Sequence, residues 1–294
     1  MLRAADMRNT TNLKQIMAQR RAIAVPGAAN ALFAKIIEEV GFEVAYLTGA
    51  GVANMHLGVP DIGLTTMTEM ANTLAAAAET VSVPIIVDAD TGFGNALNVI
   101  RCTKLFERHG AAAMQLEDQV FPKKCGHFAG KQVIPEAEMV GKIKAAVDSR
   151  SDPDFQIIAR TDALAVEGID RALDRARAYV EAGADATFIE APTSEGELAR
   201  VACEVGVPQV ANVVFGGRTP DLGQEGFAKL GFSIVLYANA VLQAALKASF
   251  EVLMALRDKG SLTGVATRLA SFEERQRAVA KEIWDERERR FSLP

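Results

Sequence analysis

Lys123-Lys124-Cys125-Gly126-His127 places a thiol, two ammoniums and an imidazole in one short stretch. Cations beside a thiol lower its pKa and make it a usable acid or nucleophile. A solvated basic loop with an incidental cysteine has the same composition, and the pentapeptide alone does not separate the two. More chemistry lies upstream. Asp88 and Asp90 stand two apart, and Glu117 follows in Leu116-Glu117-Asp118-Gln119. These are hard oxygen donors with little nitrogen or thiolate nearby. Such a set suits Mg2+ or Mn2+, which keep several waters and bind through few carboxylates plus substrate oxygens. Without a cation the clustered carboxylates would repel one another.

Elements of regular length must bring these residues together. Short apolar runs occur at 22–25, 44–47, 84–87, 113–116, 156–159, 186–189, 209–211 and 232–236. Helical patterns alternate with them at 31–40, 68–80, 97–109, 135–147, 169–182, 195–204, 224–229 and 239–259, after an opening helix at 11–20. Buried parallel strands read as continuous apolar runs, and this alternation implies parallel pairing. Eight such units predict an α/β fold, a closed (β/α)8 TIM barrel rather than an open doubly wound sheet. No GxGxxG follows the first strand, which weakens the dinucleotide-fold alternative. No Pro/Ser-rich linker interrupts the chain, so residues 1–294 are expected to form a single barrel domain. Two more helical patterns, roughly 266–280 and 283–290, make 261–294 a C-terminal helical arm, suited to an oligomer contact. The arginines there mix with acids and read as a solvated face.

The predicted strand ends are polar: Tyr46 and Thr48-Gly49, Asp88 to Gly94, Glu117-Asp118, Arg160-Thr161-Asp162, Glu190 and Asn212. A lone acid at a strand end is often a helix cap. Many acids and an arginine at one barrel mouth, where such folds keep their functional groups, are harder to explain that way.

Composition excludes several classes. A net charge of -5 gives no basic footprint for nucleic acid. The three cysteines are widely spaced and make neither a disulfide framework nor a Cys-x-x-Cys zinc site, so a reducing cytoplasm is expected. No apolar run reaches membrane-span length, and the polar start of the chain lacks the apolar stretch of a signal peptide.

Val87-Asp88-Ala89-Asp90-Thr91-Gly92-Phe93-Gly94, Leu116-Glu117-Asp118-Gln119 and Lys123-Lys124-Cys125-Gly126-His127 together resemble the isocitrate lyase/phosphoenolpyruvate mutase superfamily. Ile158-Ala159-Arg160-Thr161-Asp162-Ala163, Glu190-Ala191, Asn212 and Thr219-Pro220 continue the likeness in order. The chain is most similar to the small lyases acting on 2-methylisocitrate and 2,3-dimethylmalate. The resemblance implies a barrel whose last helix is exchanged between subunits, in a homotetramer. It implies Mg2+ held directly near Asp88, with Asp61, Asp90 and Glu117 acting partly through water. The α-hydroxy-carboxylate of a substrate would bind at Thr48, Gly49, Ala50 and Arg160. Residues 123–131 would form a gating loop, with Cys125 as general acid. Tyr46 is the candidate base or relay, a buried core tyrosine being the plain alternative. Lys123, His127 and Glu190 would position substrate or tune the thiol.

The resemblance also implies a reaction. A 2-hydroxy dicarboxylate loses its hydroxyl proton, the C–C bond breaks, pyruvate leaves, and the other fragment takes a proton from Cys125. Members without this cysteine do other chemistry, which favours a lyase or a C–C hydrolase here. Oxaloacetate hydrolases carry a distinctive Ser where this chain has Pro220, which favours the lyase. Methylisocitrate lyases have a Glu where Phe215 stands, and an Arg at the position matched by Gln243. A third substrate carboxylate would then lack its bidentate cation. A dicarboxylate with an apolar distal end, such as 2,3-dimethylmalate, is the expected substrate, its methyls meeting Phe215, Val213 and Leu236. Cleavage of 2-methylisocitrate to pyruvate and succinate, or an oxaloacetate-type hydrolysis, is the alternative.

Overall fold

The computed structural model describes residues 7–126 and 130–292. Eight parallel strands close into a barrel in chain order. They are β1 (Ile23–Ala28), β2 (Ala45–Leu47), β3 (Ile85–Asp88), β4 (Ala113–Glu117), β5 (Gln156–Thr161), β6 (Ala186–Ile189), β7 (Gln209–Asn212) and β8 (Ile234–Tyr237). Closure runs from Ile23 opposite Ile234 to Pro26 opposite Tyr237. The expected (β/α)8 barrel is therefore present.

Period-two alternation sorts the side chains. Val25, Tyr46, Ile86, Ala113, Ile158, Phe188, Val210 and Leu236 fill the barrel interior. Leu47, Val87, Met114, Leu116 and Ile157 point outward, against helices bearing Met70, Leu74, Phe106 and Ile143. Each fully buried side chain of this size contributes about 2 kcal/mol by leaving water. The strands are largely apolar on both faces, and their charged residues, Asp88, Glu117 and Arg160, stand at or next to the C-terminal ends, which places them at one rim.

The helices begin where their caps say. Asn30 accepts from Phe33 N before Ala31–Val40, and Gly41 closes that helix at φ +100°. Thr66 with Glu69, and Asn95 with Asn98, form reciprocal capping boxes before Met67–Ala78 and Ala96–Arg108. The strand β1 runs through Pro26-Gly27, where the sequence suggests a stop. Gly27 lies so close to the Ala238 carbonyl that no side chain fits between them, so the close approach, not a turn, explains the glycine.

The chain divides into two compact units, 1–240 and 241–294. The second unit holds the helix Ala240–Lys259, a 3-10 turn at Thr263–Arg268 and the helices Phe272–Ala278 and Lys281–Phe291. The helix Ala240–Lys259 has no buried residue, and Leu246, Phe250, Leu253 and Met254 are exposed. Among the described residues no helix is long and apolar enough to cross a membrane.

Candidate active site

At the rim, β2 runs through Tyr46 to Thr48, whose hydroxyl accepts from Gly51 N and starts a short helix, Gly49–Val52. This turns the Gly49 amide toward β3, where it donates to Asp88 Oδ2 at 3.2 Å. Asp88 Oδ1 accepts from Asp90 N at 3.1 Å. The Asp90 backbone is left-handed at φ +46°, which bends the loop so that both carboxylates lie beside Gly49. Burial pushes the Asp90 carboxyl up to about 6, against the pull of the Lys123 ammonium. Glu117, at the end of β4, is driven well above the carboxylate range by burial, with Arg160 opposing. Tyr46 is fully enclosed, and burial together with the Asp88 charge raises its hydroxyl well above 10.

The segment after Glu117 folds back over this rim. Gln119 pins its start, donating to Lys124 O at 2.8 Å and accepting from Lys124 N at 2.9 Å. Lys123 reaches down between carboxylates, pairing with Asp61 and, at 2.8 Å, with Asp90 Oδ1. Burial alone would discharge this ammonium; Asp90, Glu117, Asp61 and Asp88 hold it charged, well above its ordinary pKa. Lys131 anchors the far end, donating to Gly126 O at 2.5 Å and to Asp162 Oδ1 at 2.6 Å. Gly126 is pressed onto the site: a methyl there would collide with Arg160 Nη2 and lie 2.7 Å from the Glu190 carboxylate.

Arg160, at the end of β5, is the hub. Its Nε meets Asp162 Oδ2 at 2.9 Å and Glu117 Oε2 at 3.2 Å, and its Nη2 meets Glu190 Oε2 at 3.1 Å. The guanidinium also covers the Phe188 ring at 5.1 Å. Burial would weaken its charge, and the three acids hold it firmly protonated. Tyr46, Thr48, Ala50, Asp61, Asp88, Lys123, Cys125, Arg160, Glu190 and Asn212 converge on one cavity of about 40 Å3, closed by Phe188, Leu236, Ala238 and Asn239.

Residues 13–257 match the family model described as phosphoenolpyruvate phosphomutase. The chain belongs to the phosphoenolpyruvate mutase/isocitrate lyase superfamily. It is 46% identical to a 2,3-dimethylmalate lyase of Eubacterium barkeri, covering 91% of this chain and 93% of that one. It is 42% identical to a 2-methylisocitrate lyase of Shewanella oneidensis, covering 84% and 85%. A crystal structure of 2,3-dimethylmalate lyase superposes with a TM-score of 0.91 at 31% identity, over 97% of this chain and 96% of that one. A phosphonopyruvate hydrolase in complex with oxalate and Mg++ superposes with a TM-score of 0.88 at 34% identity, over 97% and 99%.

Within this superfamily member, most residues singled out in the sequence meet at the cavity, and a few do not. Phe215 is 88% exposed and does not line it, and neither does Pro220. Of the residues expected to meet substrate methyls, Leu236 lines the cavity, and Phe188 stands beside it there. Gly49 faces Asp88 rather than the cavity. Asp90 and Glu117 lie behind the lining, next to Lys123 and Arg160. His127 is outside the described residues, and Gln243 belongs to the second unit. Sequence reasoning missed Lys131, Asp162 and Asn239. Asp162 sits inside a quoted motif and was visible; Lys131 and Asn239 stand in no pattern that marks them.

The donor set fits a hard divalent cation. Among the described residues no three acidic, histidine or cysteine side chains form a ready cage. Mg2+ does not need one, because it binds through one or two carboxylates and keeps its waters. Among the described residues Glu117 Oε1 has no hydrogen-bond partner, an expensive state for a buried carboxyl that a cation or its water would relieve. The Lys123 ammonium, seated between Asp61 and Asp90, shows that this corner already holds positive charge.

Proposed function

We propose that the chain is a Mg2+-dependent carbon–carbon lyase of a substituted 2-hydroxy dicarboxylate, cleaving a 2,3-dimethylmalate-like substrate to pyruvate and propionate. The observation that carries this reading is the meeting of Cys125, Tyr46, Arg160 and Asp88 on one small closed cavity. Its relatives named as lyases of dimethylmalate and methylisocitrate support it. The complex of phosphonopyruvate hydrolase with oxalate and Mg++ supports the metal, with Mn2+ as a substitute.

Asp88, with Asp90 and Glu117 behind it, would hold the ion, and Asp61 would reach it only when Lys123 moves away. When bound, Mg2+ supplies positive charge beside the substrate oxygens on which negative charge gathers. Arg160 would pair with the α-carboxylate, its fork already oriented by Asp162 and Glu190. Thr48 and Ala50 would supply backbone contact to the same group, while Gly49 holds Asp88 in place. Tyr46 keeps its own proton beside Asp88, so it would relay the C2 hydroxyl proton, passing its phenolic proton on to that carboxylate as it takes up the substrate's. The C2–C3 bond then breaks, its electron pair staying on C3, and pyruvate forms. The Cys125 thiol gives its proton to C3, completing propionate. The thiolate would be stabilised by the cations lining the cavity and would regain a proton from the base. Lys123 and His127 would tune that thiol, and Asn212 would hold the second carboxylate.

Phe188, Leu236 and Ala238 give the cavity an apolar wall, and its cations are Lys123, Lys124 and Arg160. A methylated dicarboxylate suits this better than a tricarboxylate, whose third charge would be buried without a dedicated partner. The exposed apolar side of the helix Ala240–Lys259 supports exchange of that helix in a homotetramer. Three cysteines that form no disulfide with one another support a cytoplasmic setting.

The test is pyruvate release from 2,3-dimethylmalate, 2-methylisocitrate and isocitrate, each with and without Mg2+. Dimethylmalate is expected to turn over fastest, and only with the metal. Oxalate from oxaloacetate in its place would move the assignment to a hydrolase. Cys125→Ser is expected to lower kcat by about a thousandfold while substrate binding persists. Normal turnover in that variant would remove Cys125 as the acid.

A further inference from the structure

β4 carries three polar side chains at its C-terminal half: Gln115, Glu117 and, just beyond, Asp118. Gln115 and Glu117 share the inner face of the barrel, two residues apart. Gln115 is 1% exposed and does not line the cavity. Among the described residues, both of its amide atoms, Nε2 and Oε1, lack a hydrogen-bond partner, and so does Glu117 Oε1. Its register neighbours offer no relief. On one side stands Asp88, whose oxygens already accept from Gly49 N and Asp90 N. On the other stands Ile158, which is apolar.

An amide left bare in a barrel core costs about 1–3 kcal/mol relative to a paired one. A leucine or methionine would fill the same space without that cost, as Ile86 and Ile158 do nearby. Three orphaned atoms on one strand face, about 6.6 Å apart at the backbone, are the polar partners that an internal water requires.

We infer that Gln115 and Glu117 together hold one internal water molecule beneath the metal-binding carboxylates, and that Gln115 is thereby a positioning residue for Glu117. The water accepts from Gln115 Nε2 and donates to Glu117 Oε1. Glu117 Oε2 is held from the other side by Arg160. The carboxylate is then fixed at both oxygens and cannot swing away from the corner it shares with Asp90. The inference rests on the reading that Glu117 helps hold a divalent cation.

The experiment uses the full chain. Mn2+ binding to metal-free protein, followed by electron paramagnetic resonance without substrate, is compared between wild type, Gln115→Met and Gln115→Leu. Removing the amide is expected to weaken Mn2+ affinity about tenfold, the scale of an outer-shell partner. The thermal midpoint is expected to stay level or rise. Unchanged Mn2+ affinity in either folded variant overturns the inference. So does a fall in midpoint that accounts for the lost affinity. A crystal structure should show an ordered water within hydrogen-bond reach of both side chains; a direct Gln115–Glu117 contact there would also overturn it. If no malate derivative is cleaved, the proposed function fails while the Mn2+ comparison and the water site are still readable.

Discussion

Glu117 and Asp118 are adjacent acids with opposite surroundings. Glu117 points into the barrel, pairs with Arg160 and keeps Oε1 without a partner. Asp118 points outward and is saturated. It accepts from Thr161 Oγ1 at 2.7 Å, the Asp162 amide at 2.9 Å and the Tyr179 hydroxyl at 2.7 Å, with Arg175 at 3.5 Å. Arg175 in turn donates to Ile134 O, where the flap rejoins the body, and makes a forked pair with Glu167. The outer face is therefore a closed network that ties β4, β5, the helix Ile169–Glu181 and the flap exit together. The inner face is an open one, short of protein partners where a water, a cation and a substrate would supply them. Saturation marks the structural acid, and its lack marks the chemical one.

The largest effects should separate these two roles. Glu117→Gln is expected to lower kcat/KM about a hundredfold, with little change in thermal midpoint. Asp118→Asn is expected to do the reverse. It would put an amide where Thr161 Oγ1, the Asp162 amide and the Tyr179 hydroxyl all donate to a buried carboxylate, and cost about 3 kcal/mol of stability, while residual folded enzyme keeps near-normal KM. Chemical denaturation and steady-state kinetics on both variants check this. If both lose activity and stability in equal measure, the two faces are one unit and the contrast is false.

Gly126→Ala is a smaller perturbation of the inner face. A methyl at this position meets Arg160 Nη2 and the Glu190 carboxylate, so the flap cannot seat without displacing them. We expect a kcat loss of about tenfold with unchanged thermal midpoint, because the outer network still holds both ends of the segment. A large fall in midpoint would mean that flap seating is part of global stability.

The fold was more legible than the site. Eight apolar runs with helical spacers leave few alternatives to a closed barrel, and the observed strands differ only at their ends. Pro26-Gly27 and Gly49-Ala50-Gly51 were harder. Glycine has poor helix propensity, and the Thr48 cap that starts the Gly49–Val52 turn resembles an ordinary strand exit. The site was legible where chemistry sits in short motifs, as at Asp88, Cys125 and Arg160. It was illegible where a partner is far away in the chain. Lys131 looks like one more flap lysine until Asp162 is found against it. Phe215 marks the same limit from the other side: its place in the chain is legible, and its exposure is not.

Protonation offers a graded test of the inner face. The Asp90 carboxyl holds its proton up to about 6 in the fold, above the usual aspartate value, because burial outweighs Lys123. Between the two values the folded chain binds more protons than the unfolded chain. Its contribution to metal-free stability is thus fully present below the unfolded value and is lost as pH rises through 6. A divalent cation competes with that proton, so Mn2+ affinity should fall as pH drops below about 6. Titration of Mn2+ at several pH values checks this, and Asp90→Asn should flatten the profile. A flat wild-type profile would mean that Lys123 keeps Asp90 ionised throughout.

The smallest effect is expected at Phe215. Its side chain is 88% exposed in a loop beyond β7, while Phe188 and Leu236 stand at the cavity wall. Exposed substitutions away from special contacts change free energies by about 0.5 kcal/mol or less. Phe215→Ala should therefore move KM for a 2,3-dimethylmalate-like substrate by no more than about threefold, with kcat unaltered. Leu236→Ala, which removes part of the wall, should move it further, since a lost apolar contact of this size is worth about 1–3 kcal/mol. If Phe215→Ala proves the more damaging of the two, the loop beyond β7 folds onto the substrate during turnover. The open inner face would then extend past the barrel rim to a residue that the strand alternation does not place.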